Sequence, residues 1–112
     1  LYVAKQQALS LLESGFKSPL DATFKVVGKA GYANIMAQIA NLYEGHFMSE
    51  HDKYCVTSLA KVMTGSEVEE NTAVNSQMLL DLERKYFVEL LGTQKTQDRI
   101  EFMLRNSKPL RN

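Results

Sequence analysis

Apolar side chains recur at helical spacing along most of this chain, and glycines interrupt them. Stepping the sequence at about 100° per residue gives five apolar stripes. Four of them stop at a glycine, a residue that readily ends a helix. The predicted helices are residues 1–14, 30–44, 49–65 with cap and stop included, 76–91 and 94–105. We therefore predict an all-α fold of about five helices in an antiparallel or irregular bundle, with residues 1–112 as a single helical unit.

The third helix has the clearest start signal. Ser49 places a hydroxyl at the N-cap, and Asp52 follows three residues later with a carboxylate, a close variant of the capping box. An acid there also favours the positive end of the helix dipole. We therefore assign structural roles to both residues, and Thr93 is a weaker N-cap for the fifth helix.

The two longest connections between the predicted helices look irregular. Pro19 interrupts residues 16–28, where residues 23–27 are too short and mixed to indicate a strand, so an extended connector ending at Gly28 is predicted. Residues 65–74 are polar and rich in glutamate, and we expect them to form the most mobile loop.

Charge and composition exclude several classes of partner. Acidic and basic residues number 13 each, so no basic excess favours a nucleic acid or an anionic membrane surface. No apolar run is long enough for a membrane span, and the first ten residues do not resemble a signal peptide. The single cysteine favours a reducing compartment, which predicts a cytoplasmic location. Because the chain starts at Leu1 inside a predicted helix, we expect it to be a piece of a longer polypeptide.

His51 and Cys55 stand four residues apart on the third helix, a spacing that can place two ligands on one metal. Cys55 nevertheless falls within the apolar face, and the chain has no second cysteine. A core cysteine is therefore favoured over a metal ligand or a nucleophile. We assign no catalytic, cofactor-binding or metal-ligating residue.

Glu83 lies within the apolar arc of the fourth helix, which we predict to be the central helix of the bundle. A buried carboxylate must be paired or have a raised pKa. We predict a salt bridge inside the bundle, with Arg99 or Lys95 as partner. A general acid or base is the weaker alternative, because no second positioned group accompanies Glu83.

The chain also carries more apolar surface than five helices of this size need to bury. On the fifth helix Ile100, Met103 and Leu104 are predicted to face inward, whereas Phe102 points outward. Together with Leu1 and Leu9, Phe102 is therefore a candidate interface residue. The glycine-rich stretch 28–31 lacks the spacing of a phosphate loop, and the start of the following helix offers at most a weak anion site.

Several linked motifs resemble the C-terminus of fatty-acid β-oxidation proteins that fuse a 3-hydroxyacyl-CoA dehydrogenase to an enoyl-CoA hydratase domain of the crotonase type. The resemblance covers essentially the whole chain, although Tyr54, Cys55 and the acidic loop at residues 66–74 are less typical. The motifs, in order, are SEHD at residues 49–52, LDLER at 80–84, KTQDRI at 95–100 and KPLRN at 108–112.

The resemblance implies a helical segment that covers the acyl-CoA pocket and contributes subunit contacts. It also implies that NAD and the catalytic groups for hydration and oxidation belong to upstream domains. Acyl-CoA would then be bound only by the parent enzyme, and this segment alone would be inactive. Two alternatives remain open: a free-standing helical protein-interaction module, and a minimal enzyme that uses Glu83 or His51 with Cys55.

Overall fold

The computed structural model describes residues 1–112 and contains five helices and one very short two-stranded ribbon. The predicted all-α class is confirmed, with the ribbon as an addition. Four helices end close to Gly15, Gly45, Gly65 and Gly92, as the sequence predicts. The elements are α1 (Tyr2–Glu13), β1 (Thr23–Lys25), α2 (Gly28–Glu44), α3 (Glu50–Thr64), β2 (Ala73–Asn75), α4 (Ser76–Leu91) and α5 (Gln94–Asn106).

Helix α3 lies at the centre of the packed part. It packs against α2 and against α4, and α5 in turn contacts α4. Small or hydroxylated residues of α3 are buried here. The hydroxyl groups of Ser58 and Thr64 donate hydrogen bonds to backbone carbonyls four residues earlier in the helix. The prediction that α4 is central is wrong: Tyr86 is its only buried residue, while Phe87 and Val88 are exposed.

The two predicted loops meet in the ribbon. Phe24 of β1 is opposite Val74 of β2 in an antiparallel pair, and buried Val26 continues the pairing through backbone hydrogen bonds with residues 71 and 72. The prediction of a plain connector and a plain polar loop is therefore wrong at this point. Each strand is only three residues long and its partner is about fifty residues away, so local periodicity carries no signal for the pairing.

On helix α5 the side predicted to face inward is exposed, and the side predicted to face outward is partly covered. Ile100, Met103 and Leu104 are exposed, while Phe102 is half-buried and lines a shallow groove with Leu110. The reason is tertiary, because the chain turns back along α5 after its last residue. Asn112 bonds to Arg99 and Lys95, and Leu110 lies beside Phe102 in the groove. Phe102 is therefore more covered by its own chain than the sequence predicts, and its role at an interface stays a prediction.

The molecule is extended. Its accessible surface is 8708 Å², whereas a compact protein of this mass exposes about 6,200 Å². The radius of gyration is 19.5 Å, against about 13 Å for a compact domain of this length. Every residue of α1 is exposed. None of the five helices combines the length and apolar content needed to cross a bilayer.

Candidate functional site

Polar side chains of α3, α5 and the last residue meet at one end of the helical packing; we call this set the polar cluster. Arg99 is at its centre. Its Nη1 lies 2.8 Å from Asp52 Oδ1, and its Nε donates to Asn112 Oδ1 over 2.7 Å. The main-chain oxygen of Asn112 accepts from Ser49 Oγ at 3.0 Å, and its side-chain amide donates to the carbonyl of Lys95. The cluster thus ties the chain end to two helices.

Ser49 and Asp52 form the capping box that the sequence predicts. The Asp52 amide donates to Ser49 Oγ at 3.1 Å, and the Ser49 amide donates to Asp52 Oδ2 at 3.1 Å. The Ser49 amide is the main reason that the pKa of Asp52 is lowered, and Arg99 lowers it further against the opposing effect of burial. Asp52 is therefore held ionised as a structural group.

His51 is buried beside this cluster and is held by α5. Its Nε2 lies 3.0 Å from Thr96 Oγ1, which lies 2.8 Å from the hydroxyl oxygen of Thr93. Burial lowers the pKa of His51, and the positive charges of Arg99 and Lys95 lower it further, while nearby Asp52 acts in the opposite direction. The folded chain therefore favours a neutral ring.

The folded state should lose stability as pH falls because of His51. The unfolded chain takes up a proton near the ordinary histidine pKa, whereas the folded chain resists it, so stability is full above that value and declines below it. We expect the fall in melting temperature between about pH 7 and pH 5 to be smaller in His51→Gln than in the unmodified chain. Thermal unfolding followed by circular dichroism measures it.

His46→Asn is the matched control, because His46 is exposed and has positive φ, a conformation that asparagine tolerates. It should keep the unmodified pH dependence. An unchanged slope in His51→Gln would show that His51 does not titrate with folding.

The predicted salt bridge of Glu83 inside the bundle is not formed. Its side chain is exposed and forms no ion pair. Arg99, the expected partner, is paired with Asp52, and Lys95 is exposed. No helix of this chain covers the side of α4 on which Glu83 lies, so the carboxylate stays in solvent.

An open groove separates α3 and α4, and we call it the α3–α4 groove. Its volume is about 170 Å³. Leu59 and Phe87 are the exposed apolar side chains along it, and Glu83 is its one charged residue. The lining residues are Cys55, Ser58, Leu59 and Val62 of α3, with Glu83, Tyr86, Phe87 and Leu90 of α4. The sequence does not predict this groove, because the apolar faces of α3 and α4 have the pattern of ordinary core-facing helices.

The arrangement around His51 and Cys55 does not support nucleophilic chemistry. Burial raises the pKa of the Cys55 thiol, which disfavours the reactive thiolate. Cys55 lines the α3–α4 groove, whereas His51 Nε2 is engaged by Thr96. Neither residue belongs to a cluster of three or more potential metal ligands.

The start of α2 is closed by the acidic loop. The Lys29 amide donates to the Val68 carbonyl at 2.9 Å, and the Lys29 ammonium pairs with Glu69. The Gly31 amide donates to the Val27 carbonyl. The Lys29 amide and ammonium, two of the donors that an anion at the start of α2 would use, are thus directed to the acidic loop.

Much of the apolar surface is unpaired, including two of the three candidate interface residues, Leu1 and Leu9. The exposed large apolar residues occur on every helix, with Leu12 on α1, Leu42 on α2 and Leu104 on α5 as examples. A surface of this extent is typical of a protein that buries part of itself against another surface.

One comparison with known proteins gives a match. No family model matches the chain, and no solved structure does. A probable 3-hydroxyacyl-CoA dehydrogenase of Bacillus subtilis (strain 168) is 39% identical over 112 residues, which is 100% of this chain but 14% of that protein. Over its whole length, this chain is therefore similar to a short section of a much longer dehydrogenase.

Proposed function

We propose that this chain is the C-terminal helical segment of a fatty-acid β-oxidation enzyme, a 3-hydroxyacyl-CoA dehydrogenase fused to an enoyl-CoA hydratase domain. In it the segment acts as a lid over the acyl-CoA pocket and as an interface scaffold, not as a catalytic unit. The match to 14% of a probable 3-hydroxyacyl-CoA dehydrogenase supports the dehydrogenase assignment. The fusion, the terminal position and the lid role rest on the motif resemblance.

The observation that carries the proposal is the unpaired apolar surface. The chain exposes about 2,500 Å² more total surface than a compact protein of its mass would, and large apolar side chains are exposed on every helix. Burial of apolar area contributes roughly 25 cal/mol per Å², so covering such a surface is strongly favoured. In the proposed enzyme, the upstream domains cover part of it.

The polar groups fit a supporting role. His51, Asp52 and Ser49 are each bonded to other residues of the chain at 3.0, 2.8 and 3.0 Å. In the proposed enzyme, upstream domains bind NAD and supply the groups for hydration of an enoyl-CoA and oxidation of the 3-hydroxyacyl-CoA. The segment would contact acyl-CoA only within that assembly.

An immunoblot of source-cell extract, with an antibody against this segment, tests the proposal. A band several times heavier than 12.7 kDa is expected. A band at that mass would overturn the proposal and favour a free-standing interaction module. The purified chain should also show no hydratase turnover of an enoyl-CoA and no NAD reduction with a 3-hydroxyacyl-CoA.

Leu104→Ser tests the scaffold role separately. Leu104 is 80% exposed here, so the substitution should leave the unfolding of the isolated chain unchanged. In the whole enzyme, where we propose that Leu104 is covered, it should cost about 2 kcal/mol of stability. Exposed Lys108→Ser is the control in both settings. If Leu104→Ser changed the stability of the isolated chain and of the whole enzyme by the same amount, the proposed scaffold role would be contradicted.

A further inference from the structure

Helix α1 carries a positive charge inside an apolar face that nothing in this chain covers. Ala4, Ala8 and Leu12 lie along that face at helical spacing. Lys5 is about 20° from Leu12 and 40° from Leu9 around the helix axis. Lys5 forms no ion pair, and all of α1 is exposed.

The α3–α4 groove carries a negative charge among apolar side chains, just as α1 carries a positive one. Glu83 is the one charged residue among otherwise mostly apolar lining residues, and it also forms no ion pair. An apolar helix face covering this groove would bury the Glu83 carboxylate, at a high free-energy cost unless a positive charge met it. The groove therefore selects a helix with a cation inside its apolar face.

We propose that α1 of one copy of this chain lies in the α3–α4 groove of a second copy, with Lys5 of one paired to Glu83 of the other. Leu9 and Leu12 then cover Leu59 and Phe87. The opposite charges fix the register of the helix in the groove, because any shift by one turn separates them. Each apolar face thereby gains an apolar partner.

The structure favours a second copy over the same chain as the source of α1. Residues 14–22, which join α1 to the ribbon, are all exposed, and α1 buries no residue against its own chain. Reciprocal exchange of α1 between two copies closes a two-fold dimer and leaves neither groove open. A standard stable interface buries about 800 Å² of each partner, and the surplus of about 2,500 Å² on each chain is large enough to supply that area.

Charge reversal on separate chains tests the pairing. Lys5→Glu and Glu83→Lys each place like charges at both contacts of a dimer, so each should weaken dimerisation by about tenfold or more. An equimolar mixture restores an opposite-charge pair at both contacts and should return to the unmodified affinity. Sedimentation equilibrium of the 112-residue chain measures the dissociation constants.

Matched controls separate the pairing from net charge. Lys17→Glu and Glu89→Lys make the same charge changes at exposed positions outside the two faces and should leave dimerisation unchanged. An unmodified chain that stays monomeric, or a mixture that fails to recover affinity, overturns the proposal.

Cys55 provides a measurement that needs no variant. It is the single cysteine and lines the groove, so its alkylation rate should fall severalfold as the chain concentration passes the dimer dissociation constant. A rate independent of concentration overturns the proposal. The inference does not depend on which enzyme the chain belongs to: a monomeric chain would leave the proposed function standing, and a 12.7 kDa band would leave the dimer standing.

Discussion

Gly28→Ala is expected to destabilise the chain by about 3 kcal/mol or more, a melting-temperature loss of roughly 12 °C. Gly28 is buried and has φ of 53°, a conformation that costs any other residue energy. A Cβ there would lie 2.7 Å from the carbonyl oxygen of Glu69 and closer still to that of Val68. These are backbone atoms, so the acidic loop would have to move away from α2.

Gly15→Ala is the matched control, because it shares the positive φ without the crowding. Gly15 has φ of 73°, and nothing lies within 4 Å of the added Cβ. Its expected cost is about 1–2 kcal/mol. Urea unfolding followed by far-UV circular dichroism compares the two. Equal losses would show that backbone strain alone, and not the close approach of the acidic loop, accounts for the effect at Gly28.

Arg99→Ala is expected to cost about 2–3 kcal/mol, the second largest loss. The substitution removes the ion pair with Asp52 and both hydrogen bonds to Asn112, so the chain end loses its main anchor. The Arg99 and Asp52 side chains are 21% and 30% exposed. Solvent screening therefore keeps the loss below the 3–5 kcal/mol typical of a fully buried pair.

Arg105→Ala, on the same helix, is the control. Its pair with Glu101 is 2.7 Å long, but the two side chains are 75% and 61% exposed. Such pairs contribute about 0.5 kcal/mol or less. Chemical denaturation at neutral pH measures both variants, and comparable losses would contradict the structural role of the polar cluster.

The Arg99 effect should also depend on pH. The pKa of Asp52 is lowered in the folded chain, so its contribution is present above the unfolded carboxyl pKa and is lost as pH falls through the folded value. The stability difference between the unmodified chain and Arg99→Ala should therefore begin to shrink as pH falls below about 4, while the part due to the hydrogen bonds to Asn112 remains. A constant difference down to pH 2 would exclude Asp52 as the partner that matters.

The sequence by itself determined the features that depend on local interactions. Helix periodicity, the glycines that end helices and the Ser49–Asp52 capping box each involve residues within one or two turns of one another. The apolar surplus was also readable, because a stripe of leucines predicts a buried face whether or not the partner is present.

Only the tertiary structure decided which helix faces and charged groups contact one another. Arg99 pairs with Asp52 and not with Glu83 because α5 lies beside the start of α3. The ribbon and the reversed faces of α5 likewise depend on contacts between segments far apart in the chain. Periodicity shows that a face is apolar but not what covers it, because the covering residues come from elsewhere in the fold.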